Sequence, residues 1–205
     1  MAGEPLRRFS RAERWVHGTT AVLVIVCVAT AAVLYNASLA IAVGNRHLVE
    51  LVHVYCGFAL PVPMVAGLAS ASYRADLRRL DRFTPDDWRW LRSSSRRDGS
   101  IRVGKFNAGQ KLNGSLSAGA ILVLVMTGVV MYFTHLAPLA WRTGATFVHD
   151  WSALAVGLLV SGHTLYAVRD REALRGITTG QVSAAWARRE HAAWADEVSA
   201  PDQVP

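Results

Sequence analysis

The chain has 205 residues, of which 52% are hydrophobic, and it carries a formal net charge of +7 at pH 7. An ordinary soluble domain does not combine long apolar runs with so basic a charge. Four runs approach the roughly 20 residues with which an α-helix crosses a bilayer: residues 15–35, 48–69, 112–133 and 146–168. The sequence therefore predicts an all-α integral membrane protein, a bundle of four transmembrane helices. Nucleic-acid binding is the less favoured explanation of the charge, and we expect no such partner.

The first run follows a basic segment with Arg7, Arg8, Arg11 and Arg14, which is also the pattern of a signal peptide. The run is too long for the apolar part of a signal peptide, and no small-residue cleavage site ends it. We therefore expect this run to be a retained transmembrane helix.

The distribution of basic residues predicts the orientation in the membrane. The N-terminal segment holds four Lys or Arg, the connection 71–111 holds eleven and the tail from Arg169 holds five, whereas the other two connections hold only Arg46 and Arg142. If both termini are cytoplasmic, 20 of the 22 basic residues lie inside, as the positive-inside rule requires. We therefore predict a multi-pass protein of the bacterial cytoplasmic (inner) membrane, with lipid around a membrane domain over residues 1–170.

The connection between the second and third spans contains a helix signal. In the stretch TPDDWRWL, Thr84 suits the N-cap, Pro85 suits the first helical position and two acids follow in the first turn. Its tryptophans and arginines predict a helix that lies at the cytoplasmic membrane interface. A solvated turn that packs on a partner remains the alternative.

The last segment, residues 171–205, is predicted to be a polar cytoplasmic tail. A short helix is expected around residues 181–193, with His191 exposed to solvent. The terminal stretch SAPDQVP is expected to be disordered.

Within the fourth span, residues 149–163 read HDWSALAVGLLVSGH, a stretch that begins with His149 and ends with His163. Fourteen helical residues turn to roughly 40° short of four full turns and rise about 21 Å. The two imidazoles should therefore share a face, one near each surface of a hydrocarbon core about 30 Å thick. They are too far apart to bind one metal together, so each site would need a second ligand from another helix.

The predicted topology places the histidines in two pairs of equal depth. His17 lies near the cytoplasmic side with His163, and His53 lies near the outer side with His149. Two imidazoles on facing helices are the axial ligands that a haem iron needs in a helical bundle. Since no C-x-x-C-H motif is present, we predict two non-covalent b haems. Hydrogen bonding between helices or a proton path is the alternative, and His135 is a candidate to replace an outer ligand.

Three stretches carry a resemblance to a known family. RFSRAERWVH, KFNAGQKLN and the two histidines of the fourth span together resemble the cytochrome b (gamma) subunit of respiratory formate dehydrogenases, over roughly residues 7–170. KFNAGQK is specific for that branch, whereas the spaced histidines also fit the di-haem cytochrome b subunits of membrane-bound hydrogenases. The haem ligands of the family correspond to the same four histidines. Gly18 departs from the pattern, because the family often has an aromatic residue there, so packing around the inner haem is expected to differ.

The resemblance implies partners and a substrate. An iron–sulfur subunit, itself supplied by a molybdenum or tungsten catalytic subunit, would deliver electrons, and quinone (menaquinone or ubiquinone) would be reduced near the cytoplasmic haem. Asn107, Gly109 and Gln110 match the quinone-site motif, and carboxamides can bond quinone carbonyls. A polar helix cap is the alternative role of these residues. A hydrogenase or another oxidoreductase is the alternative electron donor, and a haem-free membrane anchor or proton-translocating protein is a more distant alternative.

Overall fold

The computed structural model describes residues 4–96 and 100–200. Within these residues the chain is almost entirely helical, and four helical segments are long and apolar enough to cross a membrane: Arg11–Tyr35, Arg46–Gly67, Ala108–Tyr132 and Leu139–Arg169. The prediction of four transmembrane helices in an all-α protein is thus confirmed. The elements, in chain order, are β1 (Leu6–Arg7), α1 (Arg11–Tyr35), α2 (Ala37–Val43), α3 (Arg46–Ala59), α4 (Pro61–Gly67), α5 (Ala71–Asp81), α6 (Pro85–Arg92), α7 (Ala108–Tyr132), α8 (Leu139–Arg169), α9 (Arg171–Thr179), β2 (Gln181–Val182), α10 (Ala184–Glu190) and α11 (Ala192–Ser199).

The second span consists of two helices, α3 and α4, that meet at Leu60. Pro61 is the first residue of α4, where its missing N–H group costs no helical hydrogen bond. The amide of Leu60 instead donates to Gly57 O at 3.2 Å in a tighter turn. The proline therefore interrupts the helix, and the chain continues as α4 within the same span.

The described residues form two compact units. The apolar unit contains residues 15–69 and 117–162, and the polar unit contains residues 4–14, 70–96, 100–116 and 163–200. The division of the chain into a membrane domain that ends at residue 170 and a separate tail stays a prediction.

The apolar unit has apolar side chains both inside and outside. Its buried cluster consists of Val24, Leu60, Ile121 and Val156. Large aliphatic side chains on the outer faces of the helices are strongly exposed, among them Val22 (61%), Leu122 (63%) and Leu158 (67%). Such a surface is unfavourable in water and favourable against lipid, whose chains are as apolar as leucine. The unit thus has the surface of a membrane-embedded bundle.

The polar unit joins the N-terminal segment to the tail. Strands β1 and β2 pair antiparallel, with Leu6 opposite Val182. Gly180, at the turn before β2, has φ 88°, and a Cβ there would lie 2.6 Å from Phe9 O, so the turn requires glycine. The core of this unit comes from the tail: Val182, Trp186, Ala187, Trp194 and Ala195.

The tail differs from its prediction. The helix expected around residues 181–193 is replaced by β2, α10 and α11, with a break at His191 (φ −142°, ψ 52°). The prediction that His191 is solvated is wrong: its exposed fraction is 2%, because its ring packs on Trp186 and its Nδ1 bonds Gly104 O. Of the terminal stretch expected to be disordered, residues 201–205 lie outside the described residues.

The helix predicted in the connection 71–111 is α6. Thr84 is its N-cap and Pro85 its first residue, as predicted, and Asp87 completes a capping box by bonding the Thr84 amide. The location of α6 at the membrane interface stays a prediction.

We expect a reporter fused after Pro205 to be active only in a form that works in the cytoplasm, because 20 of 22 basic residues then lie inside. The matched control is the same reporter inserted after Gly44, between α2 and α3, which should be active only in an external form. Alkaline phosphatase and green fluorescent protein fusions provide the two readouts. External activity of the Pro205 fusion would invert the predicted topology.

Candidate functional site

The apolar unit brings His53 of α3 and His149 of α8 together. Their ring centroids lie 6.3 Å apart and the ring planes are inclined by 66°. Imidazoles on opposite sides of one metal, with metal–nitrogen bonds of about 2 Å, have centroids roughly 6 Å apart. The spacing therefore fits two axial ligands of one iron, and it is too wide for a direct hydrogen bond between the rings.

A threonine determines which nitrogen of His53 can bind a metal. Thr30 Oγ1 lies 2.8 Å from His53 Nδ1 and 2.7 Å from Val26 O, a carbonyl of its own helix. A hydroxyl has one proton, and the carbonyl can only accept it. The His53 Nδ1–H group must then donate to Thr30 Oγ1. His53 is consequently in the tautomer whose Nε2 carries a lone pair for a metal.

His149 is held in the same way by a different helix. Thr127 Oγ1, on α7, lies 2.9 Å from His149 Nδ1 and 2.7 Å from Val123 O. The Thr127 hydroxyl donates its proton to Val123 O, so the Nδ1–H group of His149 donates to Thr127 Oγ1. The Nε2 of His149 can then bind a metal. Two equivalent hydrogen bonds thus leave the Nε2 of each imidazole with its lone pair, and groups behind metal-binding histidines commonly have the same effect.

Neither threonine was predicted from the sequence as part of the site. The signal that could have found them is their position, since Thr30 and Thr127 each lie five residues before the tyrosine that ends an apolar helix, Tyr35 and Tyr132. A hydroxyl at that depth of a span needs a partner, and a histidine at the same depth of a neighbouring span supplies one.

The surroundings of the histidine pair are compatible with a flat macrocycle. Within the described residues, no three His, Cys, Asp or Glu side chains gather where they could hold a metal ion. Two protein ligands are enough for a haem iron, because the porphyrin supplies the other four. A Cβ on Gly128 would lie 3.7 Å from His149 Cε1, and one on Gly57 would meet no described atom within 4 Å. The backbone beside each ligand is therefore uncrowded.

The other predicted ligands are not tested by this geometry. His17 lies on α1 in the apolar unit and His163 lies on α8 in the polar unit, and both are exposed. Their pairing stays a prediction. His135, the candidate replacement for an outer ligand, lies in the connection after α7 with its ring 6.1 Å from that of Phe133. The apolar unit instead pairs His53 with His149.

The predicted quinone residues form the start of α7. Asn107 N donates to Gln110 Oε1 at 3.0 Å, and Gln110 N donates to Asn107 Oδ1 at 2.9 Å, which is a reciprocal capping box. The polar-cap role is thus observed. The cap uses the two carboxamide oxygens, while each side chain also has an NH₂ group that can donate to a carbonyl. Gly109 has a packing reason to be glycine, because a Cβ there would lie 3.1 Å from Trp90 Cη2.

Buried ion pairs hold the two lysines that flank this cap. Lys105 Nζ lies 2.5 Å from Asp76 Oδ2 and 3.2 Å from Glu13 Oε1. Lys111 Nζ lies 2.6 Å from Asp87 Oδ2 and 2.7 Å from Arg82 O. All of these carboxylates are nearly buried. A buried charge needs such partners, so the segment KFNAGQK is fixed at both ends.

Four helices that could cross a membrane and two imidazoles that face each other inside the apolar unit are features of a membrane cytochrome b. The comparison with protein families agrees with this class. The family model described as prokaryotic cytochrome b561 matches residues 8–180, and the chain belongs to this family. The family implies haem b and an electron-transfer role.

The chain is also similar to curated proteins. It is 29% identical over 99 residues to the cytochrome b556(Fdn) subunit of nitrate-inducible formate dehydrogenase of Escherichia coli (strain K12), a match that covers 47% of this chain and 46% of that protein. It is 34% identical over 96 residues to the formate dehydrogenase cytochrome b556 subunit of Haemophilus influenzae, covering 44% and 40%. The chain thus spans less than half the length of the curated relatives it matches.

We expect Thr30→Val and Thr127→Val each to weaken haem binding at the His53–His149 site. Each substitution removes the acceptor of an Nδ1–H group at nearly constant volume, and loss of such a partner typically costs about 10- to 100-fold in metal affinity. The measurement is the haem content and the reduced-minus-oxidised spectrum after detergent washing. Thr143→Val is the control, since that hydroxyl donates to Leu139 O. Parental haem retention in both variants would contradict the assigned role.

A second prediction concerns Asp76, whose pKa is raised to about 7 by burial and by the neighbouring Glu13, against the opposing effect of Lys105. Arg79 and Arg8 are the other charged groups that interact with it. The folded protein keeps a proton that the unfolded chain releases above its ordinary pKa of 3.8. Stability should therefore fall as the pH rises from about 4 to about 7, by on the order of 1 kcal/mol per pKa unit.

Asp76→Asn should flatten this pH dependence, because an amide stays neutral. Thermal unfolding in detergent, followed by circular dichroism at pH 5 and pH 8 with one scan rate, measures the effect. The control Asp81→Asn removes an exposed carboxylate at the end of the same helix and should leave the pH dependence unchanged. An equal pH dependence in the parent and Asp76→Asn would contradict the protonation of Asp76.

Proposed function

We propose that this chain is the cytochrome b subunit of a membrane-bound dehydrogenase complex, and that it carries electrons through two b haems to quinone. His53 with His149 would ligate the outer haem, and His17 with His163 the inner haem. The outer pair carries the proposal. Two threonines leave the Nε2 of each ring with its lone pair, and the ring centroids lie 6.3 Å apart, which fits two ligands of one iron.

The pairing of His17 with His163 is supported by spacing along the chain. His163 lies fourteen residues after His149 on the continuous helix α8, so it occupies nearly the same face about 21 Å further along the axis. His17 lies two turns into α1, the helix that also contributes Thr30 to the outer pair. Helices α1 and α8 thus both contribute residues to each of the two proposed haem sites.

We propose formate dehydrogenase as the electron donor. The support is similarity to subunits named as formate dehydrogenase cytochromes in two organisms, together with the stretch KFNAGQK. In that arrangement an iron–sulfur subunit passes electrons to the outer haem, and formate is oxidised in a molybdenum or tungsten subunit. A hydrogenase or another oxidoreductase would serve the same haem sites, and co-purifying subunits distinguish these donors.

The proposed quinone site uses the NH₂ groups of Asn107 and Gln110. The capping box holds both carboxamides in a fixed orientation at the start of α7. Quinone needs hydrogen-bond donors at its two carbonyls, and a fixed donor binds better than a mobile one because less side-chain entropy is lost. With both termini cytoplasmic, quinone reduction at this helix start would take its protons from the cytoplasm.

We expect His149→Ala to lose about half of the haem per chain and to block electron entry from the donor complex. Haem content and the reduced-minus-oxidised spectrum of purified membranes provide the measurement. His135→Ala is the control, because that residue lies in the connection outside the paired helices and should keep both haems. Retention of both haems in His149→Ala, with loss in His135→Ala, would transfer the ligand role to His135. A parent without any haem spectrum would exclude the cytochrome function and leave a haem-free anchor or proton carrier.

We expect Gln110→Glu and Asn107→Asp to weaken quinone binding while they preserve the helix cap. A carboxylate can accept the same backbone N–H group, but it cannot donate to a carbonyl. Loss of one hydrogen bond costs on the order of 1 kcal/mol, so the apparent KM should rise about tenfold with both haems retained. Stopped-flow haem reoxidation at limiting and saturating quinone separates KM from kcat. Unchanged KM in both variants would exclude these amides as the quinone site.

A further inference from the structure

The backbone immediately before the proposed quinone residues is held by three donors from outside that segment. Val103 O accepts from Ala193 N at 3.0 Å, Gly104 O accepts from His191 Nδ1 at 2.7 Å, and Lys105 O accepts from Arg8 Nη2 at 2.7 Å. Three successive carbonyl groups are thus fixed by the tail and the N-terminal segment. Asn107 follows only two residues later.

The two side-chain donors are themselves rigid. His191 is 2% exposed, its ring centroid lies 5.0 Å from that of Trp186, and its backbone N and O both take part in helix-end hydrogen bonds. Burial and the charge of Arg8 lower the pKa of His191 to about 3, so the ring is neutral at pH 7. Because a carbonyl can only accept, the Nδ1–H group is the donor to Gly104 O.

Arg8 is fixed by stacking and by the sheet. It is 4% exposed, and its guanidinium lies 4.8 Å from the Trp186 ring centroid and 5.4 Å from that of Trp194. Its backbone N donates to Gly180 O at 2.8 Å, next to the β1–β2 pair. A planar guanidinium held between aromatic rings has little freedom to leave Lys105 O.

We infer that Arg8 and His191 are positioning residues for the quinone site, because they fix the carbonyls of Lys105 and Gly104 and thereby place the carboxamides of Asn107 and Gln110. This inference rests on the function proposed above. According to this inference, the C-terminal tail influences the affinity for quinone through the backbone that it holds before Asn107. The competing explanation is that these bonds only keep the polar unit folded.

The test compares His191→Leu with His191→Asn in the full membrane complex. Leucine removes the donor to Gly104 O, whereas the Asn NH₂ group lies close to the position of imidazole Nδ1 and should restore it. We expect His191→Leu to raise the apparent KM for a short-chain quinone about tenfold, the effect of one lost hydrogen bond. Haem content and haem reduction by the donor should stay at the parental level, and His191→Asn should return KM to within about twofold of the parent.

Hydrogen exchange of the amides in residues 104–107, measured by mass spectrometry, reports the backbone directly. Exchange should accelerate in His191→Leu and recover in His191→Asn. The control Arg79→Ala breaks the ion pair with Glu197 of α11, which holds the same tail without touching the three carbonyls. It should change neither the exchange nor KM.

Three outcomes would overturn the inference. The first is a parental KM in His191→Leu while Gln110→Glu raises it, which retains the quinone site and removes the positioning role. The second is a KM that the controls do not separate: Arg79→Ala raises it equally, or His191→Asn does not restore it. In either case the bonds to Gly104 O and Lys105 O only keep the polar unit folded. The third is a parental KM in Gln110→Glu and Asn107→Asp, in which case the proposed quinone site itself fails.

Should His191→Leu not assemble, Arg8→Lys carries the same test. Lysine keeps the charge, but it lacks the planar fork that stacks on Trp186 and reaches Lys105 O together. The expected rise in KM is that given for His191→Leu, and a parental KM in Arg8→Lys while Gln110→Glu raises it would contradict the positioning role.

Discussion

An imidazole in an apolar bundle must satisfy one nitrogen before the other can bind a metal. In this protein a threonine hydroxyl does so, and it can only act as an acceptor because its own proton is already on a helix carbonyl. The result at Thr30–His53 is repeated at Thr127–His149, on four different helices. The Nε2 of each imidazole is thereby left with its lone pair, and the ring centroids lie 6.3 Å apart, a spacing that fits two ligands of one iron.

The polar unit follows from a different constraint, the high cost of an unpaired buried charge. The ammonium of Lys105 lies near the rings of Phe9 and Phe106, and its acidic partners come from two distant segments, Glu13 and Asp76. Three stretches of the chain, widely separated in sequence, are joined by this requirement. In the same unit, ion pairs and hydrogen bonds to backbone carbonyls both hold the short segment before α7.

The start of α7 illustrates how one motif can have two roles. A helix cap and a ligand-binding site are usually treated as competing explanations of a polar residue. In Asn107 and Gln110 they use different atoms: the oxygens complete the cap, and the NH₂ groups can serve a carbonyl ligand. A cap that holds its side chains still also reduces the entropy lost on binding. Observation of the cap therefore does not weaken the proposed site.

The sequence by itself determined the features that depend on local pattern. Four apolar runs predicted the four spans, the Thr84–Pro85 signal predicted helix α6, and the topology expected from the basic residues placed His53 and His149 at one depth. Only the tertiary structure decided which groups stand behind those histidines, that His191 is buried, and that the tail holds the backbone before Asn107. The physical reason is that periodicity and charge act along the chain, whereas a hydrogen bond between residues 104 and 191 depends on how distant segments pack. A histidine in a polar tail is expected to be exposed when only the sequence is known, but His191 is buried because the ring of Trp186 packs against it.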